Sequence, residues 1–324
     1  MAEKKTSAFA LLRILKKYSD EDHILSARQI IDMLDEFYGI RIERRTLYSN
    51  IEMLEQDGYV ISRYEDNGKG YYLKQRQFDK AEVLLLCNAV HASHFISASQ
   101  SDSIIRKLLD TQSSHQAREF KDSVYLPNRQ KTNNTQLLQN ITRVSEAIRD
   151  SRPVSFTYLR YNTRKQLEPR RQLPYEVEPR YIVYADSRAY MIVTSDAHPG
   201  FAHYRLDRMQ DVKVLNSRVR PLSRELDAYE YARNKLFMYA GDMQWVTFLC
   251  QARIMDHMID LFGPEVMIIT RSDEQFTIRV NTSTRGAMFL AQQYMDSMEI
   301  LEPESLRQDF ITQLQNTMKR YEQK

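Results

Sequence analysis

The sequence of 324 residues contains no apolar run that approaches the roughly 18 residues needed for a membrane-spanning helix. Its first residues, Met-Ala-Glu-Lys-Lys, carry no hydrophobic segment of the secretory type. Cysteine is also scarce. Cys87 and Cys250 lie far apart, each in an apolar segment, which favours buried free thiols over a disulfide or a metal pair. We therefore expect a cytoplasmic protein.

The features of an enzyme are also few. Only eight glycines are present, and none belongs to a phosphate-binding loop. Cys87, His91 and His94 fall at helical spacing, but no fourth metal ligand is apparent, so an ordinary helix face is the favoured interpretation. Asp207 and Asp211 alone are a thin basis for a nuclease or phosphodiesterase. We expect no catalysis, no metal and no cofactor.

Charge is nearly balanced overall but unevenly distributed. The whole chain has a net charge of +3, whereas residues 152–224 contain 14 Lys and Arg against 7 Asp and Glu. The positive field is therefore concentrated in the middle of the chain, as expected of a region that binds an anion. Solvated arginines on loops are the alternative explanation.

Residues 1–75 are predicted to form three helices followed by a β-ribbon. Apolar residues recur with a helical period over about 7–18, and Ser26 with Gln29 forms a capping box for a second helix. A third helix runs from about Glu43 to Asp57. Asn67-Gly68 between two aromatic, β-branched runs then predicts a hairpin. This order is typical of a winged helix-turn-helix.

Polar side chains occupy the early, outward turns of the third helix. In a winged helix-turn-helix these positions enter the major groove of DNA. The predicted DNA-binding residues, including one from the ribbon, are Arg44, Arg45, Thr46, Tyr48, Ser49, Asn50 and Lys69. Because the segment 41–76 holds seven basic and six acidic residues, a winged helix that binds a protein is the alternative.

The next 60 residues, 76–135, are predicted to form a helical linker with a polar loop or hinge over 111–135. Its helices pack within the chain or against a second copy. Beyond Pro153 about five short strands follow, typical of a small, strongly bent barrel of the SH3 or Sm-like type. There His203 and Arg205 share one face of a strand near Tyr190, a cationic spot suited to an anionic ligand.

The C-terminal part, residues 219–324, is predicted to begin with an amphipathic helix over 219–240. The order strand-helix-strand-strand-helix-strand that follows is ferredoxin-like. A last helix, from Glu304 to Tyr321, is long enough to reach a partner subunit. Trp245 is expected in the core or at an interface.

Several short motifs in this order resemble the bacterial WYL-domain transcriptional regulators. They are Phe156-Thr-Tyr158, Arg171-Gln-Leu-Pro174-Tyr175, Ala189-Tyr190-Met191, Tyr204-Arg-Leu-Asp-Arg208 and Met298-Glu-Ile-Leu-Glu-Pro303-Glu-Ser-Leu-Arg307. The resemblance covers nearly the whole chain. Two departures concern the ligand: Ala189-Tyr190-Met191 stands in place of the family's Trp-Tyr-Leu, and His203 stands where the family commonly has arginine or lysine.

The resemblance implies a ligand face on the barrel. It would consist of Tyr158, Arg171, Tyr190, His203, Arg205 and Arg208. Arginines would bind phosphate and tyrosines would stack on bases, so the implied effector is a nucleotide, an oligonucleotide or single-stranded nucleic acid. A core role for Tyr190, and a strand end pinned by Asp207 with Arg208, are the alternatives. His203 would favour anion binding as pH falls.

The sequence thus predicts an α+β protein of four parts. These are a winged helix-turn-helix (1–75), a helical linker (76–135), a WYL domain with a Sm-like barrel (136–218) and a ferredoxin-like extension that dimerises (219–324). The expected function is a homodimeric, ligand-responsive transcriptional repressor that binds double-stranded promoter DNA and no membrane. The alternative is a nucleic-acid sensor or RNA-binding adaptor whose winged helix holds a protein partner.

Overall fold

The computed structural model describes residues 2–123, 131–132, 134–185, 187–195, 198–221 and 243–322. The chain divides into two compact units, Met1–Thr135 and Gln136–Lys324. The predicted helix over 219–240 lies almost entirely outside the described residues. Within the described part, none of the helices combines the length and the apolar character needed to cross a membrane.

Three helices begin the N-terminal unit: α1 (Ala2–Tyr18), α2 (Ala27–Tyr38) and α3 (Arg44–Gln56). Their facing stripes form one core, whose fully buried members include Leu11, Leu15, Ile30, Leu34, Leu47 and Ile51. The capping box is confirmed, because Ser26 accepts the Gln29 N–H while the Gln29 side chain accepts the Ser26 N–H. The helical period of the sequence therefore located all three helices.

A short ribbon follows, in which β1 (Ile61–Ser62) pairs antiparallel with β2 (Tyr72–Leu73). The predicted hairpin is confirmed, but its connection is longer than a tight turn: one helical turn, α4 (Tyr64–Asn67), lies between the strands and ends at a left-handed Gly68. The Asn67 side chain explains the difference. Its amide donates to Ser62 Oγ and two backbone carbonyls, and its carbonyl accepts the N–H groups of Lys69 and Gly70.

Helices α5 (Lys80–Ala92), α6 (Ala98–Leu109) and α7 (Ser114–Ser123) complete the N-terminal unit. The predicted loop over 111–135 is wrong where α7 forms. Ser113 caps this helix by accepting the Gln116 N–H, and Phe120 is buried beside Val83 and Cys87. A segment rich in polar residues therefore folds because its few apolar side chains fall on one helical face.

The C-terminal unit opens with α8 (Leu137–Arg149) and six antiparallel strands. They are β3 (Val154–Tyr161), β4 (Leu167–Pro169), β5 (Tyr175–Ala185), β6 (Arg188–Ser195), β7 (His198–Arg205) and β8 (Met209–Val214). The strand order is β4-β3-β5-β6-β7, and β8 pairs with β3. Because β8 follows β7 directly in the chain, the sheet has to curl into a half-barrel.

The last region alternates helices and strands: β9 (Met243–Gln251), α9 (Met255–Phe262), β10 (Met267–Arg271), β11 (Gln275–Ser283), α10 (Thr284–Gln293), β12 (Met298–Glu302) and α11 (Glu304–Glu322). The antiparallel sheet has the order β10-β11-β9-β12. One sheet face packs on the helices through residues such as Phe248 and Ile278. Trp245 is not a core residue, because its side chain is 51% exposed on the other sheet face, under the Arg279 guanidinium.

Both cysteines are free and buried, as the sequence predicted. Burial raises the pKa of Cys250 to about 12 and also raises the pKa of Cys87. Neither thiol is therefore a ready nucleophile or metal ligand, since both roles need the thiolate.

Candidate functional site

Four aromatic side chains meet on the concave side of the half-barrel. This tyrosine cluster consists of Phe156 and Tyr158 on β3, Tyr175 on β5 and Tyr204 on β7. The Tyr204 ring centroid lies 5.1 Å from those of Phe156 and Tyr158 and 5.3 Å from that of Tyr175. Strand β7 pairs with β6 and not with β3, so it is the curl of the sheet that brings Tyr204 to the other rings.

A guanidinium group covers the exposed side of this cluster. Arg171 lies over the Tyr175 ring with its Cζ 3.6 Å from the ring centroid. Its Nε donates to the Leu173 carbonyl (2.9 Å) and a terminal nitrogen donates to the Pro174 carbonyl (2.7 Å). Stacking and two hydrogen bonds therefore fix the position of an exposed side chain that would otherwise move freely.

The phenol groups of Tyr204 and Tyr158 have raised pKa values and stay neutral at physiological pH. Burial is the main cause that raises the pKa of Tyr204, and the neighbouring Tyr175 adds to it while Arg171 opposes it. Burial also raises the pKa of Tyr158, whose hydroxyl accepts the Arg205 backbone N–H (3.2 Å). Neutral hydroxyls next to arginines can donate hydrogen bonds to an anionic ligand.

His203 and Arg205 do share one face of β7, as predicted. In the pairing of β6 with β7, Tyr190 lies opposite Arg205 and Ile192 lies opposite His203, and residues directly opposite in a ladder point to the same face. Tyr190 and Ile192 belong to a small buried apolar cluster on that face. Tyr190 is thus a core residue, which is the alternative role predicted for it.

The predicted cationic spot at Arg205 needs a correction. The Arg205 guanidinium forms a bidentate ion pair with Asp207 (3.0 and 2.7 Å), and the two side chains are 20% and 5% exposed. Burial alone would lower the pKa of Arg205, but these bonds to Asp207 outweigh it and raise the pKa. The Asp207 carboxylate therefore already neutralises the Arg205 charge that was predicted to bind an anionic ligand. The reason is local, because the 3-10 turn Leu206–Arg208 directs Asp207 back to the strand.

Arg208, at the end of that turn, is placed differently. Its guanidinium lies 5.9 Å from the Tyr161 ring centroid, and its Nε is buried without a hydrogen-bond partner among the described residues. The alternative role predicted for Arg208 is to pin a strand end together with Asp207. Asp207 pairs with Arg205 instead, so this role is not supported. Arg208 and Arg171 are therefore the predicted ligand residues that best fit an anion.

Tyr175 and Tyr204 were missing from the predicted ligand face. Strand alternation correctly predicts Tyr204 on the face opposite to His203 and Arg205. It is on this face, however, that Tyr204 contacts Tyr158. The signal present in the sequence was the concentration of aromatic residues in consecutive strands. The curl that unites them depends on pairing between strands far apart in the chain.

A second surface lies in the N-terminal unit, between α3 and the ribbon. Arg44, Arg45 and Tyr48 are exposed on α3, Lys69 is exposed on the ribbon, and Thr46 and Ser49 are half-buried. A groove of about 490 Å³ lies here, lined by Arg28, Arg44, Tyr48, Glu52, Arg63 and Lys69 among others. Arg63 is paired with Glu55. Arg28 is paired with Asp32. The groove thus combines Arg44 and Lys69, which form no ion pair with any described residue, with some acidic side chains.

Asn50 does not belong to this surface, which corrects its assignment to DNA. Its side chain is 1% exposed, and its amide donates to Ser7 Oγ on α1 (2.9 Å). Asn50 lies on the inner face of α3 with Leu47, Ile51 and Leu54, at spacings of three and four residues. It joins α3 to α1 in the core.

The described residues contain no group of three or more His, Cys, Asp and Glu side chains arranged to hold a metal ion. Cys87, which the spacing grouped with His91 and His94, faces an apolar core with Val83, Leu109 and Phe120.

Comparison with known proteins locates one family on this chain. Residues 139–214 match the family model of the WYL domain, so the WYL domain predicted from the motifs is confirmed for that region. The match contains the whole tyrosine cluster together with Arg171 and Arg208. None of the curated proteins compared is significantly similar in sequence.

Two solved structures are similar over most of the chain. Proteasome accessory factor B/C of Arthrobacter aurescens is 18% identical, with 94% of this chain and 47% of that chain covered and a TM-score of 0.29. A protein described as CRISPR Cas-related is 11% identical, with 98% and 85% covered and a TM-score of 0.37. This chain therefore spans about half the length of the first protein.

Proposed function

We propose, from the premise that residues 139–214 of this chain form a WYL domain, that the protein is a ligand-responsive transcriptional regulator. The observation that carries the proposal is the tyrosine cluster with Arg171 stacked on Tyr175 and with Arg208, whose Nε has no hydrogen-bond partner in the part of the chain that the structure describes. Aromatic rings and guanidinium groups side by side are the chemistry that binds bases and phosphates together.

The proposed effector is a nucleotide, an oligonucleotide or single-stranded nucleic acid. Each base offers an aromatic plane that can stack on a tyrosine ring, and each phosphate accepts hydrogen bonds from an arginine fork. Arg205 takes no direct part in this scheme, because Asp207 neutralises it. Tyr204 and Tyr175 take the stacking role predicted for Tyr190.

The proposed DNA-binding part is residues 1–75, which we interpret as a winged helix-turn-helix. Helix α3 would enter the major groove with Arg44, Arg45 and Tyr48, and Lys69 of the ribbon would contact the backbone. The half-buried Thr46 and Ser49 would contribute at the edge of this surface.

We infer a homodimer that acts as a repressor in the cytoplasm. Paired recognition helices read two half-sites, so a dimer is the natural reader of a palindromic operator. The strand order β10-β11-β9-β12 favours a ferredoxin-like C-terminal extension, to which we assign dimerisation. An effector would change DNA affinity only through different affinities for two states of the protein. Neither catalysis nor a metal is part of the proposal.

The effector site is tested by fluorescence anisotropy with a labelled single-stranded oligothymidylate. Tyr204→Ala removes one base stack, which contributes about 1–3 kcal/mol, and Arg171→Ala removes a guanidinium that would bind phosphate. Each variant is therefore expected to bind about tenfold more weakly. Arg164→Ala, on the exposed β3–β4 loop, is the matched control and should bind like the wild type. Equal affinities for all four proteins, or no binding by any, would overturn the effector site.

The DNA-binding surface is tested by selection of genomic fragments and by titration with the selected duplex. Arg44→Ala with Arg45→Ala should weaken binding and reduce the slope of log K against log salt by about 0.9 for each phosphate that is no longer neutralised. Arg285→Ala, an exposed arginine of the C-terminal unit, is the control. Recovery of RNA without discrete duplex sites would instead favour the RNA-binding adaptor.

A further inference from the structure

A buried asparagine holds the turn that ends the candidate site. Asn140 on α8 is 1% exposed, and its amide nitrogen donates to the Leu206 carbonyl (3.2 Å) and to the Met209 carbonyl (2.8 Å). These two carbonyls stand at the start and just after the end of the 3-10 turn Leu206–Arg208. Both protons of one amide group therefore fix the segment that carries Arg208.

The neighbours of Asn140 on the same face of α8 contact the same segment. Gln136 Oε1 accepts the Asp211 N–H (3.3 Å), and an Arg143 guanidinium nitrogen donates to the Val212 carbonyl (2.6 Å). Positions 136, 140 and 143 recur at spacings of four and three residues, which places them on one side of a helix. Four hydrogen bonds thus join this face to the backbone of residues 206–212.

Within residues 206–212 all four bonds go to backbone atoms. They therefore depend on the backbone path of this segment and not on the side chains that it carries. A ligand that shifts the backbone at Tyr204 or Arg208 shifts the atoms to which these bonds go, and then α8 either follows or loses its bonds. The two bonds of Asn140 are buried, and hydrogen bonds tolerate only small changes in length and angle, so they favour movement of α8 together with this backbone. In the chain, α8 begins at Leu137, two residues after Thr135, the last residue of the N-terminal unit.

We infer that Asn140 is a positioning residue that couples occupancy of the tyrosine cluster to helix α8, and through it to DNA affinity. The inference rests on the proposed function. Asn140 does not contact the ligand in this scheme. Its two hydrogen bonds make the turn at Leu206–Arg208 and the start of the C-terminal unit move as one body.

The first test measures DNA affinity by anisotropy with and without saturating oligothymidylate. In the wild type the two dissociation constants should differ by at least about fivefold, the lower end of common allosteric couplings. Asn140→Leu keeps the side-chain size but removes both donors, and should bring the ratio to within about twofold of one, with oligothymidylate affinity nearly unchanged. Gln139→Ala, exposed on the same helix, should keep the wild-type ratio.

If Asn140→Leu fails to fold, Arg143→Met is the second variant, because Arg143 is exposed and its loss removes one of the same four bonds. It should lower the ratio partially. A wild-type ratio in whichever variant folds would overturn the inference. So would a loss of oligothymidylate binding in Asn140→Leu, since that would make the residue part of the ligand site.

The second test needs no ligand and separates this inference from the proposed function. Tyr204→Ala disturbs the tyrosine cluster from within the chain, and hydrogen exchange of the α8 amides reports the response. Tyr204→Ala should make the α8 amides exchange faster when Asn140 is present. In a protein that already carries Asn140→Leu, adding Tyr204→Ala should not change the exchange of these amides further. If the wild type binds no oligothymidylate but shows this pattern, the effector proposal fails while the coupling stands. If α8 does not respond, or responds equally without Asn140, the coupling fails.

Discussion

Substitution of Gly70 by alanine should destabilise the N-terminal unit strongly. Gly70 precedes Tyr71, whose backbone exchanges two hydrogen bonds with Leu25 (3.0 and 2.8 Å). A Cβ at position 70 would lie 2.2 Å from the Leu25 oxygen and 2.8 Å from its carbonyl carbon. Both are backbone atoms, so no side-chain rotation can relieve the contact and the two chain segments have to separate.

The expected loss can be worked out from these contacts. Two backbone hydrogen bonds contribute about 1 kcal/mol each, and overpacking of a close contact costs about 1–3 kcal/mol. The free energy of unfolding should therefore fall by about 3–5 kcal/mol. Gly68→Ala is the matched control: its φ is +66° and nothing lies within 4 Å of the added Cβ, so only the left-handed backbone costs about 1–2 kcal/mol.

Urea unfolding of both variants, with hydrogen exchange of the α2 and ribbon amides, measures the difference within the N-terminal unit. The exchange readout is needed because a chain of two units need not unfold in one step. The pairing of Leu25 with Tyr71 also holds the start of α2 beside the ribbon, so DNA affinity should fall with Gly70→Ala. If Gly70→Ala destabilises no more than Gly68→Ala, the close approach at Leu25 is wrong.

Three further outcomes are expected. Arg205→Ala leaves Asp207 without its bidentate partner and should lower the free energy of unfolding by about 3 kcal/mol, whereas a change within the error of urea titration would contradict a structural pair. Burial acts to raise the pKa of Asp20, but hydrogen bonds led by that from Ser113 outweigh it and lower the pKa. A lowered carboxyl pKa stabilises the fold above its unfolded value of about 3.9, and this stabilisation is lost as pH falls through the folded pKa. Ser113→Ala should therefore move acid unfolding, followed by circular dichroism, to higher pH, and an unmoved midpoint would contradict the role of this bond. Cys250, with its pKa raised to about 12, should react with iodoacetamide at mildly alkaline pH only after denaturation, and fast labelling of the native protein would show that it is not buried.

Local signals in the sequence predicted much of the fold. The capping box at Ser26 and the apolar period of α1 to α3 depend on residues a few positions apart, so they can be read without the structure. The turn at Asn67 and helix α7 could not be read in this way. In both, polar side chains bind the backbone or cap a helix, and the sequence pattern for such bonds is the same as that of a loop.

The candidate site could be predicted only in part, because its other contacts also depend on the folded chain. Strand alternation correctly placed His203 and Arg205 on one face, but it carries no information on the Asp207 carboxylate that comes back to Arg205. Tyr204 joins Tyr158 only because the sheet curls. The spacing of Asn50 from Leu47 and Leu54 indicates the inner face of α3, so its burial can be predicted from the sequence.

The arginine that lies on Tyr175 has a consequence for selectivity. Its place over the ring is the place a base would take, so an incoming ligand competes with a group of the protein itself. A neutral aromatic compound would exchange one stacking partner for another and gain little. A compound with both a flat ring and a negative charge gains more, because the displaced guanidinium can turn to its phosphate. In the proposed effector site, the Tyr175 ring that Arg171 covers would therefore select against uncharged aromatic compounds.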